Sequence, residues 1–300
     1  MSYHDDASDL EQSRAPLMDH LIELRQRLIT CVMALAVGFI ICFIFSSQIY
    51  IFLLHPFEMA AGLLASQKTK GEHGPFDLLL IVIGLKPLPA AAQSLKLVFT
   101  APLEFFFTKM KLAGFGAIVL TFPVLAWQLY RFVAPGLYKR ERSAFLPFLI
   151  AAPVLFCMGA ALVYFIMLPF VLWFSLSQQI TTGNIQVELL PKVSDYLELV
   201  TKLLLAFGLC FQLPVVLSLA GLAGLVTSRQ LASVRRYALF GIVVVAALVT
   251  PPDPISQLML ATPIYLLYEV SIWCVRLMEL RRGDDEDTID QSRRDLIPRA

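Results

Sequence analysis

Long runs without a single Asp, Glu, Lys or Arg set what this chain can become. They occupy residues 28–57, 112–130, 143–187, 203–228, 237–252 and 254–268. About 20 apolar residues in a helix, at about 1.5 Å each, cross roughly 30 Å of hydrocarbon. Backbone in lipid has no water to bond, so helices that satisfy their own amides and carbonyls are the expected form. Composition agrees, with 58% hydrophobic residues, 16% charged residues and a mean hydropathy of +0.72. A soluble domain carries about 25% charged residues. The expected fold class is therefore an all-α integral membrane protein.

The runs resolve into six spans. The first is complete by Phe45. The third run ends in Ser177-Gln-Gln-Ile-Thr-Thr-Gly-Asn-Ile-Gln186, which is polar and turn-prone, so one long span ending near Leu176 is expected. Pro251-Pro252-Asp253-Pro254 cannot continue a helix and separates the last two spans by a tight hairpin. Those two are short, since about 16 residues reach only roughly 24 Å. Short spans pack on neighbours or thin the bilayer beside them.

Charge then sets the orientation. With both termini inside, the inner segments 1–27, 131–142, 229–236 and 276–300 hold 16 of the 24 Lys and Arg, and every Arg. The other eight are lysines at 68, 70, 86, 96, 109, 111, 192 and 202. Cationic residues accumulate on the cytoplasmic side, so both termini are cytoplasmic. Splitting the third run would reverse every later loop and destroy that pattern. The first residues, with Asp5, Asp6, Asp9 and Glu11, do not resemble the basic start of a cleavable signal. The expected organisation is a disordered acidic segment over 1–15, a six-helix membrane domain over 16–276, and a charged cytoplasmic tail over 277–300. An enlarged outer loop is expected at about 46–111.

Several function classes recede. Ion-coupled transporters place ionisable groups deep in their spans, and spans one to four carry none centrally. Gln212 lies near the middle of the fourth span, and Glu269 lies towards the inner end of the sixth, where pairing with an inner Arg such as Arg276 is expected rather than a place on an ion path. No P-loop, HExxH or GxSxG is present, and His4, His20, His55 and His73 form no cluster. Cys31, Cys42, Cys157, Cys210 and Cys274 sit in apolar runs without ligand spacing, as small hydrophobes do. No enzyme, metal or cofactor is expected, and a net charge of +1 gives no reason to invoke nucleic acid. A secondary transporter of a small solute, with repeat symmetry and polar midplane groups, is the alternative.

The cytoplasmic face carries more information. Leu17, Leu21, Leu24 and Leu28 recur at helical spacing and form one stripe leading into the first span. Pro16 suits the first helical turn. Asp19, Glu23 and Arg27 follow at intervals of four and share a face. By itself this also fits a membrane-surface helix with solvated charges. Between spans two and three lies Arg131-Phe-Val-Ala-Pro-Gly-Leu-Tyr-Lys-Arg-Glu-Arg142, a basic loop with a Pro-Gly turn.

Four segments together resemble the C subunit of the twin-arginine protein translocase, the TatC family. They are Pro16-Leu-Met-Asp-His-Leu-Ile-Glu-Leu-Arg-Gln-Arg-Leu28, Tyr130-Arg-Phe-Val-Ala-Pro-Gly-Leu-Tyr-Lys-Arg-Glu-Arg142, Ala206-Phe-Gly-Leu-Cys-Phe-Gln-Leu-Pro214 and Leu248-Val-Thr-Pro-Pro-Asp-Pro-Ile-Ser-Gln257. The resemblance spans residues 16–276 in order. It implies a receptor for signal peptides with paired arginines, in a cell inner-membrane complex that exports folded proteins using the proton-motive force. Single-span partners of the TatA and TatB type and self-association within that complex are implied too. So are residue roles: Glu23 and Glu141 as signal-binding carboxylates, with Arg25, Phe132 and Leu137 at recognition positions. Pro56 and Asp253 match outer-face positions.

The chemistry of these types is consistent with that role. A carboxylate accepts a planar guanidinium bidentately, whereas lysine is a compact point charge. Flanking Arg25, Arg27, Arg140 and Arg142 would repel stray cations and sharpen the choice. The chain departs from the family twice. Gln212 stands where the family commonly has glutamate, so no proton-carrying role transfers, and a contact with a polar residue of a partner helix is expected instead. The first outer loop is enlarged by Lys68-Thr-Lys-Gly-Glu-His-Gly-Pro-Phe-Asp77 and an apolar run over 78–85, too short to span.

Overall fold

The computed structural model describes residues 5–70, 98–133, 146–177, 180–182, 185–187, 192–249 and 254–295. Helix α1 (Asp5–Ile44) is followed after Phe45 by α2 (Ser46–Lys70). Where a disordered segment is expected, the backbone is helical from Asp5 onward, and the start of the expected outer loop is α2. The second span is α3 (Glu104–Val133). The third is α4 (Leu146–Leu162), a π-helical turn (Val163–Met167) and α5 (Leu168–Ser177), one unbroken crossing as the sequence predicts. Its polar tail folds into an antiparallel hairpin, β1 (Ile180–Thr182) with β2 (Ile185–Val187), pairing Ile180 with Val187.

The fourth span is broken. Helix α6 (Val193–Cys210) stops, and α7 (Leu213–Leu222) starts with Pro214 in its first turn. Proline removes one amide and clashes with the preceding turn, so the break falls at Phe211 and Gln212. Gly224, at φ 69°, ends α7. The Leu225 amide donates to the Ala220 carbonyl at 2.9 Å, the closure that needs a left-handed residue and favours glycine. On the inner side, α8 (Ser228–Ser233) begins with a capping box between Thr227 and Gln230. Then come α9 (Arg235–Val249) and α10 (Pro254–Asp295).

Among the described residues, five stretches are long and apolar enough to cross a membrane: Leu21–Ile44, Glu104–Phe132, Phe148–Ser177, Val193–Leu222 and Ser256–Leu280. With α9, the fold has six membrane helices. Helix α9 has 15 residues, about 22 Å at 1.5 Å each, and is short as expected. The uncharged start of α10 ends at Tyr268, but the helix continues through Glu269 and Arg276 without a break.

Packing runs from one edge of the molecule to the other. Helix α1 lies mainly on α3, α3 also meets α4 and α6, α4 lies on α6, and α7 and α9 both pack on α10. The core contains Phe156, Leu168, Leu203, Phe207, Leu260 and Ile264. Large apolar side chains cover the outside, among them Leu248 at 81% exposure and Phe240 at 70%, as a lipid-facing surface requires. Two crossings depend on missing side chains. A Cβ on Gly38 would come within 2.8 Å of Thr121 Cγ2, which sets the approach of α1 to α3. A Cβ on Gly208 would lie 2.5 Å from Phe156 Cε2, and one on Gly159 2.8 Å from the Phe211 ring, so α4 and α6 touch nearly backbone to backbone. Small residues permit such contacts between membrane helices.

The two kinds of glycine should behave oppositely. Gly208→Val is expected to destabilise the detergent-solubilised protein by about 1–3 kcal/mol, the scale of core overpacking. Gly241→Ala, with nothing within 4 Å of its Cβ position, should leave the thermal midpoint unchanged or raise it. Equal melting of the two variants would contradict the assigned crossing.

Candidate functional site

At the inner end of the first span, within α1, Glu23 and Arg27 lie one turn apart, and Arg27 Nε donates to Glu23 Oε1 at 3.1 Å. Arg27 Nη2 donates to the same oxygen, so the guanidinium holds the carboxylate by two nitrogens. Arg27 Nη1 reaches the Gln128 carbonyl of α3 at 3.4 Å. The same arginine thus ties the inner ends of α1 and α3 together, four residues before Phe132. Phe132 is half-buried, and Arg25 and Arg131 are exposed. Leu21, Leu24 and Leu28, three members of the predicted stripe, are 57%, 41% and 60% exposed. The stripe faces away from the protein, towards lipid or a partner. Leu137, Glu141 and Asp253 lie outside the described residues.

The inner loop between spans four and five is pinned to α10. Tyr268 donates to the Leu231 carbonyl at 2.8 Å. Glu279 accepts from the Ser228 amide at 2.8 Å and from its hydroxyl, capping α8 from another helix. Glu269 pairs with Arg235 of α9 at 2.8 Å and accepts from Tyr265 at 3.0 Å. The expected inner arginine is therefore Arg235 rather than Arg276. Arg276 lies two turns further along the same helix, whereas Arg235 enters from the neighbouring one.

Pro56 has a visible structural consequence. It sits inside α2, and its missing amide leaves the Phe52 carbonyl, four residues back, without a helical donor. The Tyr164 hydroxyl, from the π-helical turn, donates to that carbonyl at 2.8 Å. Tyr196 of α6 donates to the next carbonyl, Leu53, at 2.6 Å. The rings pack as well, Phe52 on Tyr164 with centroids 4.4 Å apart and Phe57 on Tyr196 at 5.3 Å. The proline and two tyrosines therefore fasten α2 to spans three and four. The sequence pattern singles out Pro56 but not the tyrosines. The signal that could have found them is a tyrosine inside an apolar span, which needs a hydrogen-bond partner when buried.

Gln212, at the break between α6 and α7, donates from Nε2 to the Ala152 carbonyl of α4 at 2.8 Å. The cross-helix bond open to an amide there is made within the chain. On the outer side, Glu198 joins Lys111 at 3.1 Å and Lys202 at 2.7 Å. Glu104 accepts from the Thr100 and Ala101 amides at 2.8 and 3.1 Å, and lies 3.9 Å from Lys192. There the Val193 amide meets the Val98 carbonyl at 3.3 Å and joins two outer loops. All five cysteines are free. Among the described residues no cluster of His, Cys, Asp or Glu is arranged to hold a metal.

These features define a multi-pass helical membrane protein whose charged groups gather at its two faces, with an arginine-holding carboxylate on the inner one. Residues 19–263 match the family model described as Sec-independent protein translocase protein (TatC). A TatC protein of Magnetococcus marinus is 43% identical over 93% of this chain and 90% of its own length. That of Escherichia coli K12 is 33% identical over 87% and 88%. A crystal structure described as the twin-arginine translocase receptor TatC superposes with a TM-score of 0.65 at 33% identity, covering 86% of this chain and 98% of that one. The chain belongs to the TatC family. It is a multi-pass inner-membrane subunit of the Sec-independent translocase, a transport component rather than an enzyme.

Because Pro56 creates the acceptor that Tyr164 fills, the two should be coupled. Tyr164→Phe is expected to destabilise the protein by about 1–3 kcal/mol, the scale of a buried group left unsatisfied. In a Pro56→Ala background, where residue 56 regains an amide, the same change should matter clearly less. A thermal-denaturation double-mutant cycle reads the difference; additive effects would remove the assigned link.

Proposed function

We propose that this subunit is the receptor at which twin-arginine signal peptides dock on the cytoplasmic face, with Glu23 and Glu141 accepting their guanidinium groups. The observation that carries this reading is the hold of two Arg27 nitrogens on Glu23 Oε1, because it shows this carboxylate accepting a guanidinium. A carboxylate at the inner end of the first span, beside the inner end of α3, lies where a peptide arriving from the cytoplasm meets the membrane. Arg25, Phe132 and Leu137, which the resemblance assigns to recognition, are proposed to shape the remainder of the contact. The name given to the structural relative, a translocase receptor, supports the assignment.

The exposed face of α1, with Ile29, Val32 and Ile40, offers an apolar surface for the hydrophobic segment of a signal. Single-span partners of the TatA and TatB type would assemble on the spans, several copies of this chain would share one complex, and the proton-motive force would drive transfer of folded cargo. Chemistry at the site consists of ion pairing and hydrogen bonding, with no covalent step. Gln212 remains the proposed contact for a polar residue of a partner helix. On that reading it exchanges its bond to Ala152 for one to the partner.

Two measurements test these assignments. A labelled Arg-Arg signal peptide should bind the purified protein more tightly than its Lys-Lys twin. Glu141→Ala should weaken binding by more than about 1 kcal/mol, on the scale of hydrogen bonds to charged groups. Loss of the preference in Glu23→Ala/Glu141→Ala would fix receptor and site together, and wild-type affinity there would reject the site. Separately, Gln212→Leu should reduce co-purification of single-span partner subunits and slow export; intact assembly would reject the partner contact.

A further inference from the structure

The carboxylate assigned to the signal is already occupied. Arg27 presents Nε and Nη2 to Glu23 Oε1, the same two-nitrogen edge that an incoming arginine would offer. This is not a loose surface pair: the Arg27 side chain is only 16% exposed, against 36% for Glu23. Its third nitrogen rests on the Gln128 carbonyl of α3 at 3.4 Å. The order of the pair, glutamate four residues before its cation, is also the favourable one in a helix.

From this arrangement we infer that Arg27 is a built-in occupant of the signal site, and that an arriving arginine binds Glu23 by exchanging with it. The inference rests on the reading of Glu23 as a signal-binding residue. Exchange of one guanidinium for another conserves both the charge and the two-nitrogen contact with Glu23 Oε1, so the second arginine and the rest of the signal decide the outcome. Lysine brings a single compact ammonium that cannot reproduce a two-nitrogen hold. A lysine signal therefore leaves Arg27 in place and gains nothing from Glu23. Arg27 also has a position to keep when displaced, since the Gln128 carbonyl near the inner end of α3 remains its acceptor, and a cation is favoured at a helix C-terminal end. The resident arginine thus makes Glu23 unresponsive to ordinary cations and limits affinity for the correct signal, which lets the signal leave the site after docking.

The test uses the full-length protein in lipid nanodiscs, with labelled Arg-Arg and Lys-Lys signal peptides as probes. Arg27→Gln, which removes the competitor, should tighten Arg-Arg binding by about tenfold, the scale of one charge-assisted contact. It should also make Lys-Lys binding measurably stronger and dependent on Glu23. Glu23→Gln should therefore affect Lys-Lys binding in the Arg27→Gln background and not in the wild type. Arg27→Lys, a weaker competitor that keeps the charge, should give a smaller gain, and it decides the matter if Arg27→Gln does not fold. A variant series in which Arg-Arg binding is unchanged or weakened would overturn the exchange and make Arg27 a positioning residue for Glu23. That outcome stays distinct from failure of the Glu23 assignment, which would show as wild-type Arg-Arg affinity in Glu23→Gln alone.

Discussion

A backbone carbonyl inside the bilayer has no water to turn to, so each one the helices leave open must find a donor elsewhere. The carbonyl that Pro56 leaves open at Phe52 is met in this way, and further side chains reach from one helix to backbone carbonyls of the next. Tyr164 and Tyr196 take the Phe52 and Leu53 carbonyls of α2. Gln212 takes Ala152, and Gln257 takes Val243 at 3.2 Å. Tyr268 takes Leu231 and Arg27 takes Gln128. Apolar burial between helices gives little direction in lipid, because the surrounding tails are equally apolar. Donor-to-carbonyl links have direction. Together with the glycine crossings at Gly38, Gly159 and Gly208, they specify which helix meets which, and at what height.

Much of this architecture is legible in the amino-acid order. Span number and topology follow from charge-free runs and the segregation of arginine, both consequences of the cost of placing ions in hydrocarbon. The end of the third span follows from Gly183 and Asn184 amid polar residues. Details set by tertiary pairing are not legible in this way. Glu269 meets Arg235 because α9 and α10 pack side by side, and no spacing rule along one helix contains that information. Tyr164 and Tyr196 meet α2 across more than a hundred residues. The inner-face site is intermediate. The spacing of Glu23 and Arg27 puts them on one face, but that Arg27 also holds α3 is a property of the fold.

The charged groups divide between two tasks. On the outer side, Glu104, Glu198 and their lysine partners knit loops together, and lysine suffices because a point charge near water needs no fixed geometry. On the inner side, arginines meet Glu23 and Glu269. Arg27 does so with two nitrogens within α1 and Arg235 with one nitrogen from α9 to α10, and a planar guanidinium carries orientation as well as charge. A cytoplasmic face made largely of arginine could hold its own carboxylates rigidly while repelling cations that lack a matching fork. Selectivity for a signal then needs no pocket in the enzymatic sense.

The position of α1 makes that face usable. Of the long spans it is the least covered, packed mainly on α3 and open along most of its remaining surface. A receptor for a segment that is charged at one end and apolar after it needs two adjoining surfaces, an ion-pairing site at the membrane boundary and a bare apolar strip leading from it. On the proposed reading, Glu23 and Arg27 supply the first. The exposed residues from Leu28 to Ile40 on the same helix supply the second. A central span could offer only one of these, because packing would hide its apolar length. An edge helix held at its inner end by Arg27 and further along by the Gly38 crossing combines a fixed site with a free flank. On the proposed reading, receptor function belongs at the edge of the bundle, while the tyrosine-fastened interior keeps that edge in place.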